Sequence, residues 1–408
     1  MVIAVSPNIQ KFFGLVLLLL TMWGAVLGVQ NPPIKVGILH SQTGPMAISE
    51  RSVIQATQMA IDEINANGGV LNRPLEAVVA DGESLPQRFA EQAEWLITQH
   101  HVSSIFGCWM SSSRQAVLPI IEKYHHVLFY PVQYEGFESS PNIVYSAEVP
   151  NQQVIPTLSW LDQHLGQRLV LVGSDYHYPR SVNHLIRSIA QLLGMTVLAE
   201  VYFPLDYEQS PDLKPLLALK PDVILNTLNG QANARFFAAL NALQSVDSEN
   251  FVPVMSFSLS DLEMQYYWRE QGISFAGHYS SWGYHPSIEL PENKAFISRY
   301  QARYGVDQTV NSPMVNAYNN VYLWKMAVER AQSVDPQKML QQIAKVGYFG
   351  PSGKVFVDAK NLHTWKSAYI GYYDQSGNSS LVWQSPLIPP KPYYDLMGAL
   401  NRRRGDDD

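Results

Sequence analysis

The sequence predicts an α/β protein built from two doubly wound parallel-sheet lobes joined by a hinge. Short runs rich in β-branched residues alternate with segments whose apolar residues recur every three or four positions. This alternation is typical of parallel sheets covered by helices on both faces. The strand–helix units are too many for one compact open sheet, which favours two sheets. No low-complexity linker separates them, so we expect short crossovers between the lobes.

Eight strands are expected, each a short run of branched or aromatic residues beside turn residues. The intervening segments have helical periodicity. Over Glu50–Asn67, for example, Val53, Ala60 and Ile64 fall on one face and two glycines follow as a stop signal. The region Glu292–Ala331 is helical again and would return the chain to the first lobe. The predicted strands are Lys35–His40, Leu75–Ala80, Ser103–Gly107, Val127–Tyr130, Arg168–Gly173, Thr196–Tyr202, Asp222–Thr227 and Val252–Phe257.

The chain is expected to open with a secretory signal peptide over residues 1–29. Lys11 precedes the apolar run Phe12–Val29, and the small residue Gly28 lies near its end. The alternative is an uncleaved membrane anchor, because eighteen apolar residues could just span a bilayer. We expect the rest of the chain to be exported.

Proline and glycine clusters divide the remaining sequence. Prolines interrupt the pattern around 142–153, and glycines cluster with aromatic residues around 278–286. These breaks predict a lobe 1 of residues 30–152 with about 283–345, and a lobe 2 of residues 153–282 with about 346–395. The charge run at the end, 396–408, is expected to be a solvated tail.

Composition and motifs exclude several classes of function. Hydrophobic residues make up 46% of the 408 residues and charged residues 15%, which excludes a disordered chain. The net charge of −7, without an internal basic run, argues against a nucleic-acid partner. Cys108 is the one cysteine, so no intramolecular disulfide can form. No hydrolase, dinucleotide or P-loop motif occurs, and the adjacent histidine pairs are poorly spaced for chelation. We predict no metal, no cofactor and no enzymatic activity.

Aromatic, hydroxyl and amide side chains follow four of the predicted strands, with few charges among them. Open α/β sheets bind ligands at the carboxyl ends of their strands, where these segments lie. Such a cleft suits a small, flat, neutral, polar ligand that is stacked between rings and hydrogen-bonded at its edges. The alternative is that some of the rings only form the core between the lobes. The four segments are 107–113, 130–137, 173–179 and 226–230.

The same segments resemble the urea- and short-chain-amide-binding proteins of ABC transporters, which are Leu/Ile/Val-binding-like type I periplasmic binding proteins. The resemblance runs from about Ile34 to about Tyr394. The chain is also similar to the cytoplasmic amide sensor that controls aliphatic amidase expression, over Glu135–Tyr145 and Trp383–Pro386. The most specific matching pieces are Gly37–Ser41 with Thr43-Gly44, Ala60–Asn65 with Gly68–Val70, Gly107–Trp109, Phe129–Gly136, Pro150–Gln153, Asp175-Tyr176 and Tyr178–Arg180.

The resemblance implies a type I periplasmic-binding-protein fold and a periplasmic receptor that passes urea or a short-chain amide to the permease subunits of an ABC transporter. Two alternatives stay open: an amide-sensing regulatory receptor, and a branched-chain amino-acid-binding protein. The ligand would dock on lobe 1 and draw lobe 2 over it. The ligand-binding positions that the resemblance implies are Trp109, Ser111, Tyr130, Val132, Gln133 and Tyr176, with Thr227 and Ser258 from the second lobe.

Overall fold

The computed structural model describes residues 32–204, 207 and 209–394. The predicted signal peptide at 1–29 and the predicted tail at 396–408 therefore lie outside the described residues. Within the described ranges, no helix combines the length and the apolar character needed to cross a bilayer.

Five parallel strands form the first sheet, in the spatial order β2–β1–β3–β4–β5. The first four coincide with predicted strands. The sequence does not predict β5, because three residues within a proline-rich stretch show no periodicity. The bounds are β1 Ile34–His40, β2 Leu75–Asp81, β3 Ile105–Gly107, β4 Leu128–Tyr130 and β5 Ile143–Tyr145.

Seven strands form the second sheet, in the order β14–β13–β10–β9–β8–β6–β7. Strands β6 to β10 are parallel, whereas β13 and β14 form an antiparallel edge that the sequence does not predict. A short turn over 374–378 joins these two strands, and so short a connection allows only antiparallel pairing. The bounds are β6 Arg168–Ser174, β7 Thr196–Phe203, β8 Val223–Thr227, β9 Val254–Ser256, β10 Tyr279–Trp282, β13 Tyr369–Tyr373 and β14 Ser379–Gln384.

Eleven α-helices connect and cover these strands in the part of the chain that the structure describes. A single 3₁₀ turn, Pro150–Gln152, precedes the fourth of them. The helices are α1 Ala47–Ala66, α2 Pro86–Thr98, α3 Ser111–Lys123, α4 Val154–His164, α5 His177–Leu193, α6 Lys214–Ala218, α7 Gln231–Asn241, α8 Asp261–Gln271, α9 Pro291–Tyr304, α10 Ser312–Ala331 and α11 Pro336–Ile343.

Strand β6 shows how the second sheet is buried on both faces. Val170 and Val172 enter an apolar cluster that contains residues of α7, while Leu169 and Leu171 enter a separate cluster with residues of α5. Successive side chains of a strand point to opposite faces, so a continuous apolar run requires helices on both sides. We call the first sheet with its helices lobe 1, and the second sheet with its helices lobe 2.

The chain returns to lobe 1 after β10, as the sequence predicts for Glu292–Ala331. Phe296 of α9 and Tyr318 of α10 belong to the apolar cluster of the first sheet. The predicted helical region is divided in two: α9 ends before Gly305, which has a φ of 124°, and α10 starts with a proline in its first turn.

The hairpin that follows α11 lies in lobe 1, although the sequence placed residues 346–395 in lobe 2. Its strands are β11 Gly347–Gly350 and β12 Gly353–Phe356. Val355 is buried in the apolar cluster of lobe 1, and Tyr348 packs against it. Only the later strands β13 and β14 join the second sheet. The other lobe boundaries stay a prediction.

Three crossovers connect the lobes, over residues 146–153, 283–290 and 357–368. Isolated bridges tie the third crossover to its surroundings: Tyr145 pairs with His363, and Lys366 pairs with Ile388. These short segments are the connections between the two lobes, and the space between the sheets lies above them.

Candidate functional site: the cleft between the lobes

The loops at the carboxyl ends of both sheets face each other across a narrow cleft. Gln133, after β4 in lobe 1, donates its amide Nε2 to the carbonyl oxygen of Phe257 in lobe 2, at 3.1 Å. Gln153 of the first crossover donates to the same carbonyl at 3.2 Å and to the Ser281 carbonyl at 2.6 Å. The lobes are thus in contact, and the structure shows the closed arrangement.

Two side-chain contacts between ionisable or hydroxyl groups also cross the cleft. Ser49 of α1 donates its hydroxyl to Oε1 of Glu263 of α8, at 2.9 Å. Nε2 of His177, the first residue of α5, lies 3.4 Å from Oε1 of Glu135 in lobe 1. The first contact is buried, whereas the His177 side chain is half-exposed.

The turn between β3 and α3 positions Trp109 and Ser111. Gly107 lies so close to β1 that an added Cβ would be 2.1 Å from the Leu39 carbonyl oxygen. Cys108 has a φ of 66°, a conformation that a residue with a side chain adopts only under constraint, and its N–H donates to that carbonyl. Burial raises the pKa of the Cys108 thiol, which favours the protonated, unreactive form.

Ser111 and Tyr130 are both hydrogen-bonded within lobe 1. Ser111 donates its hydroxyl to Oε2 of Glu135 at 2.6 Å, and Tyr130 donates its hydroxyl to the Trp109 carbonyl oxygen at 2.6 Å. The structure therefore brings together four of the predicted positions, Trp109, Ser111, Tyr130 and Gln133, on the lobe 1 wall. Val132, between the last two, is buried.

A fully buried arginine supports this wall, and the sequence analysis missed it. Arg114 donates through Nε to Glu138 at 2.8 Å and through Nη2 to Glu135 at 3.3 Å. Its guanidinium also lies over the rings of Tyr130 and Tyr134, 4.9 Å and 4.4 Å from their centroids. One turn into a helix, a single arginine gives no periodic signal that distinguishes it from a surface residue.

The environment of Glu135 keeps this buried carboxylate charged. Burial raises its pKa, but the neighbouring His177, Arg114 and Ser111 favour the charged form more strongly, and the net pKa is below the ordinary value. The same contact raises the pKa of His177. A negative charge thus lies next to the Ser111 hydroxyl.

Tyr178 in the first turn of α5 faces lobe 1 from the other side of the cleft. Burial raises the pKa of its hydroxyl, and the charges of Glu135 and Glu148 raise it further, so it lies within electrostatic range of both carboxylates. The Gln133 amide lies beside it and lowers the pKa, although no well-aligned hydrogen bond joins them.

Of the three predicted positions in lobe 2, Tyr176 lies near residues of lobe 1, whereas Thr227 and Ser258 form hydrogen bonds within their own lobe. Tyr176 lies near Tyr130 and Glu135, both of which raise the pKa of its phenol in addition to the larger effect of burial. Ser258 donates to the Leu228 carbonyl at 2.6 Å, and Thr227 donates to the Val172 carbonyl at 3.1 Å. Because both hydroxyls donate within lobe 2, a ligand contact by Thr227 or Ser258 stays a prediction.

Two acceptors of the lobe 1 wall keep capacity for a ligand. Ser111 gives its proton to Glu135 and accepts a 3.4 Å bond from Nη1 of Arg114, so one lone pair of its oxygen can still accept a hydrogen bond. Gln133 uses its NH₂ group on Phe257 and leaves Oε1 without a partner among the described residues. The wall is therefore suited to a ligand that donates N–H bonds. Across the described ranges, no three histidine, cysteine or acidic side chains are grouped so as to hold a metal ion.

Comparison with known proteins places the chain in a family. The model of the periplasmic binding protein domain matches residues 34–398. Leu/Ile/Val-binding protein homolog 6 of Brucella melitensis is 21% identical over 350 residues, which are 83% of this chain and 86% of that protein. A shorter stretch of 118 residues is 33% identical to limonene hydroxylase of Geobacillus stearothermophilus, but it covers 29% of this chain and only 22% of that protein.

Solved structures share the fold at low sequence identity. A solute-binding protein of an ABC transporter from R. palustris, in complex with 4-hydroxybenzoate, superimposes with a TM-score of 0.76 at 22% identity, over 88% of this chain and 98% of that chain. The leucine-binding protein LivK of Thermotoga maritima gives 0.75 at 21% identity, over 87% and 99%. The predicted type I fold is confirmed. With the family match over 34–398, the chain belongs to the periplasmic binding protein domain family.

Proposed function

We propose that the protein is a periplasmic substrate-binding protein that captures urea or a short-chain aliphatic amide and delivers it to an ABC permease. The observation that carries the proposal is the acceptor capacity left on the lobe 1 wall, at one lone pair of Ser111 and at Oε1 of Gln133. Urea and amides present N–H groups on a flat frame, and these groups match such acceptors.

The closed arrangement supports capture by hinge closure. The ligand would first dock on Ser111 and Tyr130 of lobe 1, and the loops of lobe 2 around Tyr176 and Ser258 would then cover it. Contacts made only when the lobes meet, such as Gln133 with Phe257, favour the closed form that a permease would recognise. The same cleft would serve an amide-sensing regulator, which the predicted export of the chain disfavours.

The charge beside Ser111 disfavours anionic ligands. The Glu135 carboxylate accepts from the Ser111 hydroxyl, and the nearby Arg114 guanidinium is already shared between Glu135 and Glu138. A benzoate-like carboxylate docked there would therefore meet a net negative charge. A branched-chain amino acid is the second candidate, because Glu148 accepts from the Ser312 hydroxyl at 3.1 Å and could receive an α-ammonium group. Its α-carboxylate would still meet Glu135.

Calorimetric titration of the purified protein tests the proposal. Urea, formamide and acetamide are expected to bind, while leucine and 4-hydroxybenzoate give no heat at millimolar concentration. Tight binding of leucine would favour the amino-acid receptor, and tight binding of 4-hydroxybenzoate would overturn the assignment of an acceptor-lined site. Assaying ammonia release in the same samples would reveal any hydrolysis of the amides.

A further inference from the structure

Three buried polar atoms at the meeting of the lobes have no hydrogen-bond partner among the described residues. They are Oε1 of Gln133, the hydroxyl of Tyr178 and Oε2 of Glu148, and each residue is more than nine-tenths buried. An unpaired polar atom in such a place is unfavourable, so each of these atoms is suited to a ligand group. All three can accept an N–H bond, and the Tyr178 hydroxyl, which lies beside the Gln133 amide, also has a proton to donate.

Glu148 is fixed in the first crossover by contacts on two sides. Its Oε1 accepts from Ser312 at the start of α10, at 3.1 Å. The same carboxylate lies against Gly283 of the second crossover, where an added Cβ would be 1.6 Å from Oε1. These contacts hold the carboxylate at the floor of the cleft, within electrostatic range of Tyr178.

Of the three carboxylates Glu135, Glu138 and Glu148, Glu148 is the one without a close cation among the described residues. Arg114 pairs with both Glu135 and Glu138. Lys366 donates to Asn316. Burial lowers the pKa of Lys366, and the charge of Glu148 opposes that lowering. No Lys, Arg or His nitrogen among the described residues lies within 4 Å of Glu148. Glu135, by contrast, also has the imidazole of His177 at 3.4 Å. A buried charge without a close partner is unfavourable, and a cationic ligand would supply the missing one.

We propose that the cleft prefers a small planar cation with N–H donors, of the amidinium class, and that Glu148 selects for its charge. The inference rests on the proposed function, because it uses the same cleft and the same flat frame. Acetamidinium has the shape of acetamide, but an NH₂ group replaces the carbonyl oxygen. It therefore offers donors on every polar edge, which matches the three acceptors Gln133, Tyr178 and Glu148.

Acetamidinium and acetamide form a matched pair for calorimetric titration of the purified wild-type protein at equal ionic strength. We expect acetamidinium chloride to bind at least tenfold more tightly than acetamide. Equal or weaker binding of the cation, with acetamide still bound, would overturn this inference and leave the proposed function standing. If neither compound bound at millimolar concentration, both proposals would fail.

Glu148→Gln isolates the charge, because glutamine keeps the shape of the side chain. We expect the ratio of acetamidinium affinity to acetamide affinity to fall to one or below, because the charge that favours the cation is removed. The exposed Glu91→Gln variant is the control and should keep the wild-type ratio. An unchanged ratio in Glu148→Gln would contradict the role of Glu148. Should this variant fail to fold, as judged by circular dichroism, the wild-type comparison still decides whether the cation is preferred.

Discussion

Ser49 in lobe 1 donates a 2.9 Å hydrogen bond to Glu263 in lobe 2, and this bond exists only when the lobes are closed. Ser260 adds two bonds to the other carboxylate oxygen, from its backbone N–H and its hydroxyl. Burial raises the pKa of Glu263, and the bonds from Ser260 and Ser49 oppose that rise. Opening the cleft breaks the bond from Ser49 but leaves the bonds from Ser260, which belong to the same lobe.

Ser49→Ala should therefore weaken ligand binding more than it weakens the fold. A net hydrogen bond contributes about 1 kcal/mol, so we expect roughly a fivefold loss of acetamide affinity in calorimetry, with little change in melting temperature. Ser52→Ala is the matched control, because Ser52 donates to the Ser49 carbonyl within the same helix. Equal affinity in wild type and Ser49→Ala would show that the contact does not stabilise closure.

Arg114→Met should destabilise lobe 1 strongly. The substitution leaves Glu135 and Glu138 buried without their cation, and breaking a buried pair in this way costs about 3–5 kcal/mol. Differential scanning calorimetry measures the loss. Arg88→Met is the control, since Arg88 pairs with Glu83 and Glu91 on the surface, where an ion pair contributes below about 1 kcal/mol. Similar losses for both variants would contradict the assigned role of Arg114.

The strands that the sequence predicts are those with long or well-bounded apolar runs, such as β1 and β6. Two of the missed strands, β5 and β10, have three and four residues and lie where proline and glycine mark the crossovers. Backbone pairing with neighbouring strands defines them, and a residue pattern cannot show such pairing. The misplaced hairpin at 347–356 has the same cause: only its packing on lobe 1 decides where it belongs.

The residues of the candidate site also differ in how far the sequence indicates them. Ser111, Tyr130 and Gln133 lie at or after the ends of predicted strands, so the rule that ligands bind there indicates their segments, while the choice of these residues follows from the resemblance. Glu148 and Lys366 lie in crossovers, whose spatial position depends on how two lobes are joined. The sequence also shows hydroxyl and amide groups, but it does not show which of their donor and acceptor atoms already bond to other protein groups. The atoms that remain determine which ligand groups can bind.

The contact between His177 and Glu135 predicts how binding depends on pH. Because the carboxylate raises the pKa of His177, the charged imidazole favours the closed form. This contribution is complete below the ordinary histidine value of 6.5 and is lost as the pH rises through the raised value. Acetamide affinity should therefore fall by about two- to threefold between pH 6 and pH 9, a modest change because half-exposed pairs are partly screened.

His177→Asn should remove most of that change, because the lobe 2 phenols near Glu135, Tyr176 and Tyr178, have raised pKa values and stay neutral over this range. His184→Asn, two turns further along α5, is the control and should keep the wild-type profile. The measurement is calorimetric affinity at several pH values. A profile in His177→Asn that matches the wild type would assign the dependence to another group.

Ser111→Ala tests the lobe 1 wall most directly. The Ser111 hydroxyl donates to Glu135 and can accept from a ligand N–H, so alanine removes both bonds. Leaving a buried partner unpaired costs about 1–3 kcal/mol, which is roughly a five- to hundredfold loss of acetamide or urea affinity. The fold should persist because Arg114 still pairs with Glu135.

Ser112→Ala is the control for this substitution, because Ser112 lies one residue further and on another helix face, and it should bind as the wild type does. Neither leucine nor glutamate should bind to the wild type at millimolar concentration. An unchanged urea affinity in Ser111→Ala, or tight leucine binding by the wild type, would place the ligand elsewhere in the cleft.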